Sequence, residues 1–453
     1  MLLENVLATN SICTPSRATI LTGQYSHLNG VTMFNRFDSS RQTVASLLQR
    51  GGYYTGMIGK WHLGSDPVGF DHWEILPGQG VYHSPILYTA TGEKTYTGQY
   101  TTDVITDLSI EFIRSRPRNK PFFLMSHHKA PHRPWEPDQA HGAQFADRWI
   151  PEPETFWDSY ATRTYALHEN AQRVAADLNN RDLKLEPPPG LTGAALTAWQ
   201  TTKPATVTIT RGSDTVTLTG EPLARWKYQR YLQDYLATVQ SLDDNIGRLL
   251  AFLDASGLAK NTIVVYTSDQ GFFLGDHGLF DKRFMYEESL RMPFLVRWPG
   301  AIKAGTRSSA MALNADFAPT FLDAAGLPAP AAMQGRSVLP VLRGRTPADW
   351  RTSMYYRYYH DPGDHNTRAH YGVRTLTHKL IYFWKKDQWE LFDLSNDPHE
   401  LHNLYGVPGH EKITATLKAE LHRLKSSLHD DDQFAGEQLP NGVDGPVAAL
   451  RGK

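Results

Sequence analysis

Apolar positions along the chain repeat with helical spacing in some stretches and alternate or cluster as strands in others. The run TPSRATILTGQ predicts a first helix starting near Thr14 or Pro15, with Ile20 and Leu21 facing inward. RQTVASLLQRGGYYTGMIGKWHLG predicts an amphipathic helix stopped by Gly51 and Gly52, then a strand ending at Gly59. TTDVITDLSIEFIRSRP predicts another helix, and PFFLMSHH an apolar strand that runs into a polar loop. Further on, RWKYQRYLQDYLATVQSLDDNIGRLLAFLDASG predicts a long helix, NTIVVYTSDQG and MPFLVRWPG two core strands, and NADFAPTFLDAAG a helix ending at Gly326. This is an α/β rhythm with polar clusters just beyond the ends of strands, where open parallel sheets place their ligands.

The rhythm lapses between Leu183 and Pro222, where the alternating ATVTITRGSDTVTL predicts a hairpin on a peripheral excursion. It changes again beyond Gly335. SMYYRYY, AHYGVRTLT, HKLIYFW and QWELFDLS predict a small antiparallel sheet, closed by the helix EKITATLKAELHRLKSSL. The expected organisation is an α/β unit over 1–335 with an excursion over 183–222. A C-terminal unit over 336–453 would hold the small sheet, its helix and a tail.

Composition narrows the function classes. Lys and Arg number 46 against 47 Asp and Glu, so no broadly basic surface points to nucleic acid, although a local cationic pocket stays open. Cys13 is the single cysteine, which excludes an internal disulfide and a multi-cysteine zinc site. The opening residues have no basic segment followed by a long apolar run, so no signal peptide is read there. No apolar stretch is long enough to predict a membrane span. Oligomeric state is not readable from the sequence.

Chemistry concentrates at a few places. Cys13 sits at a helix entrance, where unpaired backbone N–H groups favour an anion, and Arg17 lies about one turn on with a planar fork of donors. Lys60 and His62 share a face if their segment is extended. His127, His128 and His132 follow an apolar strand at spacing too irregular for a coherent zinc site. Asp269 and Gln270 emerge from another apolar strand, an oxygen pair with little structural value there unless it meets a partner or a hard cation.

The run Cys13-Thr14-Pro15-Ser16-Arg17, continued by ATILTG, resembles the formylglycine signature of type I sulfatases, and later segments match that family in order. The resemblance implies an alkaline-phosphatase-like, mostly parallel sheet flanked by helices. It implies oxidation of Cys13 by a maturation enzyme to an aldehyde whose hydrate attacks sulfur and forms a covalent sulfate ester. It assigns Arg17 to holding the hydrate and Lys60 and Lys282 to binding sulfate. His62 would assist deprotonation of the formylglycine hydroxyl, and His132 would protonate the leaving oxygen. Asp269 and Gln270 become ligands of Ca2+. His128, Arg133 and Trp135 are candidates for the substrate side, as are His360, Asp361 and His365 in the loop YYHDPGDHNTRAHYG, where a structural turn is an equal alternative. Asp276 and His277 are left as supporting residues.

Related sulfatases begin with a strand ending in an Asp-Asp pair. Here 12 residues precede Cys13 and Glu4 is the acidic one among them, so two carboxylate ligands and one core strand are expected to be missing. WKYQRYLQDYLATVQSLDDNIGRLL and the ending through WELFDLSNDPHELHNLYG resemble bacterial glycan sulfatases related to N-acetylglucosamine-6-sulfatases. That implies a sulfated saccharide as substrate and a periplasmic or secreted setting. Two alternatives stay open: a phosphomonoester or phosphonate hydrolase of the same superfamily, and a glycan-binding remnant unable to assemble calcium.

Overall fold

A computed structural model describes residues 1–436 and 438–444 of the 453-residue chain; the end of the expected tail lies outside the described residues. The first helix spans Cys13–Thr22 and is buried along nearly its whole length. It begins one residue before the expected start, so Cys13 itself occupies the first turn. The strand Tyr54–Lys60 lies at the centre of a parallel arrangement with His72–Leu76 on one side and Phe122–His127 on the other. Two antiparallel strands, Ile86–Thr89 and Gly92–Thr95, extend that sheet outward. The helix Thr101–Ser115 covers one face, burying Val104, Ile105, Phe112 and Ile113 at helical spacing.

A second sheet is mixed. Val264–Thr267 pairs antiparallel with Phe294–Arg297, which pairs with the short strand Leu2–Leu3, itself parallel to Arg307–Ser308. The outer strands of the two sheets, Phe122–His127 and Val264–Thr267, share no ladder. Yet Phe123 and Val265 pack on one apolar cluster, and Leu124 and Val264 on another. The two sheets therefore share their hydrophobic layers while their facing edges stay unpaired with each other. A mostly parallel sheet was expected and its parallel part is the Tyr54–Lys60 arrangement; the second sheet is mixed because residues 291–297 pair antiparallel with residues 2–7 and with Val264–Thr267, while 307–313 pair parallel with 2–7.

The excursion contains the expected hairpin, Val207–Arg211 with Asp214–Leu218, and also a helix over Gly193–Thr201 that the patterning did not predict. None of that helix is buried, so it lacks the apolar face that periodicity detects. The long helix, Gly220–Ala255, buries Leu223, Tyr228, Tyr231 and Leu232. At the C-terminal end, Ser353–Tyr358, His370–Thr375, His378–Phe383 and Gln388–Asp393 form an antiparallel meander. The helix Glu411–Ser427 docks on it through Leu417 and Leu421. Among the described residues no helix is long and apolar enough to cross a membrane.

Candidate active site

The site forms where the first helix meets the ends of three strands. Arg17 spans them: its Nε donates to Asp269 Oδ2 at 2.8 Å, and one terminal nitrogen donates to the Lys60 carbonyl at 2.5 Å and lies 3.1 Å from His127 Nδ1. Asp269 follows Val264–Thr267, Lys60 ends Tyr54–Lys60 and His127 ends Phe122–His127. One guanidinium fork thus ties both sheets to the helix. Ser16 adds a hydrogen bond to the Asp269 carbonyl and accepts one from Asn314 at 2.8 Å. Gly59 makes the close approach of two strands possible. Its φ is +96°, and a Cβ there would sit 2.1 Å from the His127 carbonyl oxygen.

Cys13 is buried among cations. Burial alone would push its thiol up, but the neighbouring His62, Lys60 and Lys282 bring it down to about 5. Lys60 is also buried; desolvation lowers its ammonium to about 8, partly offset by the negative charge at Cys13. Its Nζ donates to Gln79 Oε1 at 2.6 Å. Lys282 is buried as well and lies 2.9 Å from Asp281 Oδ1. His132 donates from Nδ1 to the Arg133 carbonyl at 2.7 Å, which leaves Nε2 without a protein partner among the described residues. Desolvation and the cations Lys60, Lys282 and Lys129 push His132 well below the usual imidazole range.

Several of these residues hold left-handed backbone conformations: His62 at φ 56°, Asp281 at 75°, Arg283 at 91° and His365 at 58°. Each such conformation costs about 1–3 kcal/mol and persists only where surrounding contacts over-determine it. For Asp281 those contacts are Arg283 at 2.7 Å and His365 Nε2 at 3.1 Å.

The structure sorts the predicted residues. Cys13, Arg17, Lys60, His62, His132, Lys282 and Asp269 belong to one constellation. Arg133 and His365 join its rim: Arg133 forms a two-pronged ion pair with Asp182, and His365 bridges toward Asp281. Trp135 does not line the substrate side. It is fully buried against Tyr231, 4.4 Å between ring centroids, because the long helix passes beneath its loop. His128 turns to the helix Thr101–Ser115, with Nε2 3.0 Å from Thr106 Oγ1. His360 is spent on Gln438 at 2.6 Å and Asp361 accepts from the Ala369 N–H at 3.1 Å, the structural-turn reading of that loop. His277 is buried between Asp158 and Glu288 and is raised to about 9 by those partners against its desolvation, a supporting role as expected.

Gln79, Lys129 and Asp444 escaped the sequence reading, and His127 was read without a partner. Gln79 and Lys129 form a second layer around Lys60, with Lys129 Nζ donating to the Gln79 carbonyl at 3.1 Å. His127 contacts Arg17, and Asp444 contacts His62. Histidine next to histidine was a visible signal; a lysine, a glutamine and a distant aspartate carried none.

The metal side is thinner. Gln270 Oε1 is buried and has no hydrogen-bond partner, which suits a hard cation. Asp269 already pairs with Arg17, and the Arg17, Lys60 and Lys282 charges outweigh burial and hold its carboxyl below the usual range. No group of three or more acidic, histidine or cysteine ligands occurs among the described residues. Calcium takes about six to eight oxygens, so these residues do not by themselves make its site.

A thiol at a helix start, ringed by lysines, histidines and an arginine on an α/β scaffold, defines a hydrolase that receives a tetrahedral oxyanion ester. Comparison with known proteins narrows that class. The family model described as Sulfatase matches residues 1–327, and that described as N-sulphoglucosamine sulphohydrolase, C-terminal, matches residues 275–427. An N-acetylglucosamine-6-O-sulfatase of Bacteroides thetaiotaomicron is 45% identical, across 95% of this chain and 80% of its own. An N-acetylglucosamine-6-sulfatase of Capra hircus is 27% identical, across 89% of this chain and 74% of its own. A solved structure in complex with its substrate, D-glucosamine-2-N,6-O-disulfate, has a TM-score of 0.89 at 43% identity, covering 96% of this chain and 92% of that one. The chain belongs to the sulfatase family, with the family's alkaline-phosphatase-like fold, and is a sulfuric ester hydrolase. That family generally uses Ca2+ and formylglycine.

Proposed function

We propose that the chain hydrolyses a sulfate ester on a glucosamine-type saccharide, with residue 13 as nucleophile after a maturation enzyme converts its cysteine to formylglycine. The observation that carries this reading is the placement of Cys13 at the start of the first helix, buried together with Lys60, His62 and Lys282. The saccharide is supported by the relatives named as N-acetylglucosamine-6-sulfatases and by the glucosamine disulfate bound in the solved relative.

Formylglycine would supply a hydrated aldehyde hydroxyl for attack at sulfur. Lys60 and Lys282 would bind the transferred sulfuryl oxygens, where negative charge grows in the transition state. His132, with Nδ1 tied to a carbonyl, would offer Nε2 to the leaving sugar oxygen. His62 would hold and move the proton of the residue 13 hydroxyl. Arg17 would keep helix and strand ends in register. Arg133 and His365 on the rim would meet sugar hydroxyls. Asp269 and Gln270 are the residues that would face calcium.

A glycan-binding remnant is the second reading, and the pairing of Asp269 with Arg17 favours it. A phosphomonoester or phosphonate hydrolase is disfavoured by the relatives named as N-acetylglucosamine-6-sulfatases. The deciding experiment co-expresses the chain with a formylglycine-generating enzyme, verifies residue 13 by intact mass, and assays N-acetylglucosamine-6-sulfate with millimolar calcium present. Sulfate release that disappears in Cys13→Ala supports the proposal. Binding of the sugar without release by a fully converted chain establishes the remnant.

A further inference from the structure

His62 has two ring nitrogens, and the structure commits both. Nδ1 lies 3.1 Å from Thr14 Oγ1, the neighbour of Cys13, and the same hydroxyl lies 3.1 Å from the His62 carbonyl. Nε2 lies 2.9 Å from Asp444 Oδ1, 382 positions further along the chain. The imidazole side chain is wholly buried, while the carboxylate keeps 33% of its exposure. A carboxylate only accepts, so this contact requires a proton on Nε2.

The segment that brings Asp444 is fitted to the site. Val443 is buried in the same cluster as Ile12, Cys13 and Phe34. The Gly442 N–H donates to the Phe34 carbonyl at 2.8 Å. Gly64, two residues past His62 and at φ +71°, lets the segment lie flush: a Cβ there would fall 2.4 Å from the Gly442 carbonyl oxygen. Asn441 accepts from the Val443 and Asp444 N–H groups at 3.0 and 3.1 Å, and its side chain donates to Asp444 Oδ2 at 3.3 Å. The Phe34 ring flanks the imidazole at 5.7 Å. Backbone, apolar burial and a turn thus converge on one carboxylate.

We propose that Asp444 is a positioning residue: it fixes the proton of His62 on Nε2 and so presents Nδ1 to residue 13 as the atom that exchanges a proton with the nucleophile. This rests on the assignment of His62 to proton transfer made above. Asp444 is not a mimic of the sulfate substrate on Lys60. The Lys60 ammonium is instead engaged by Gln79 at 2.6 Å, and the short contact of Asp444 is with the imidazole. Cys13, Lys60 and Asn441 are the other groups facing this pair.

The test joins kinetics to a readout that needs no turnover. In the converted enzyme, Asp444→Ala is expected to lower kcat on the order of 10²-fold with KM unchanged. Asp444→Asn, which keeps the shape and one acceptor oxygen, should lose less. In the unconverted Cys13 chain labelled with 15N-histidine, and with the His62 signals identified through His62→Gln, Nε2 should carry a proton. That pattern should be lost in Asp444→Ala. An unchanged ring pattern in Asp444→Ala, or a proton on Nδ1 alone in the parent, overturns the proposal. A rise in kcat/KM on substitution overturns it in favour of a tail that competes with sulfate. A parent chain that releases no sulfate defeats the sulfatase reading, and the nitrogen spectrum still decides the Asp444–His62 pairing.

Discussion

The two halves of the pocket are built to different degrees. On the sulfate side, Cys13, His62, Lys60, Lys282 and His132 come from separate segments, and most have a named second partner: Gln79 for Lys60, Asp281 for Lys282, the Arg133 carbonyl for His132 and Asp444 for His62. On the metal side, Asp269 is spent on Arg17 and Gln270 Oε1 has nothing. The Lys60 ammonium, held by a neutral amide, keeps a charge that a sulfate ester would neutralise, whereas two oxygens are too few for a divalent ion. The contrast teaches that an anion pocket can be preorganised by its own hydrogen bonds even where its cation site is not.

The largest break comes from removing the nucleophile. Cys13→Ala should reduce sulfate release by about 10⁶-fold while leaving the melting temperature near that of the parent. Next are the cations: Lys60→Met and Lys282→Met should each lower kcat/KM by about 10³-fold, measured on the same sugar sulfate. Arg17→Lys sharpens the comparison, because a single ammonium cannot hold Asp269, the Lys60 carbonyl and His127 at once. It should cost about 10²-fold in kcat through misplacement of the three strand ends. Smallest is a titration of the unconverted thiol. With its value lowered to about 5, Cys13 should react as thiolate with a small alkylating reagent above that pH, and reactivity should fall as pH drops through it. Lys60→Met should move that midpoint upward, since a stabilising cation is gone.

Much of this was legible in the sequence. The C-terminal meander follows from four short segments rich in aromatic and branched aliphatic residues, beginning with Ser353–Tyr358. The core of the site follows from motifs with order and spacing. What was not legible depends on tertiary contact. Trp135 sits in a loop full of site residues, and only the passage of the Gly220–Ala255 helix makes it core. His128 and His132 differ by four positions in one loop, yet one faces Thr106 and the other the cations. Asp444 has no motif around it; its role depends on a contact across nearly the whole chain. Glycine-, alanine- and threonine-rich Gly193–Thr201 forms an exposed helix whose pattern gives no apolar stripe.

The asymmetry between the halves is tested most directly by isothermal titration of this chain with calcium, alongside Asp269→Asn. The account predicts weak binding, with a Kd on the order of 10⁻⁴ M or above. Micromolar binding that is lost in Asp269→Asn would contradict it, because Asp269 and Gln270 would then belong to a complete metal site.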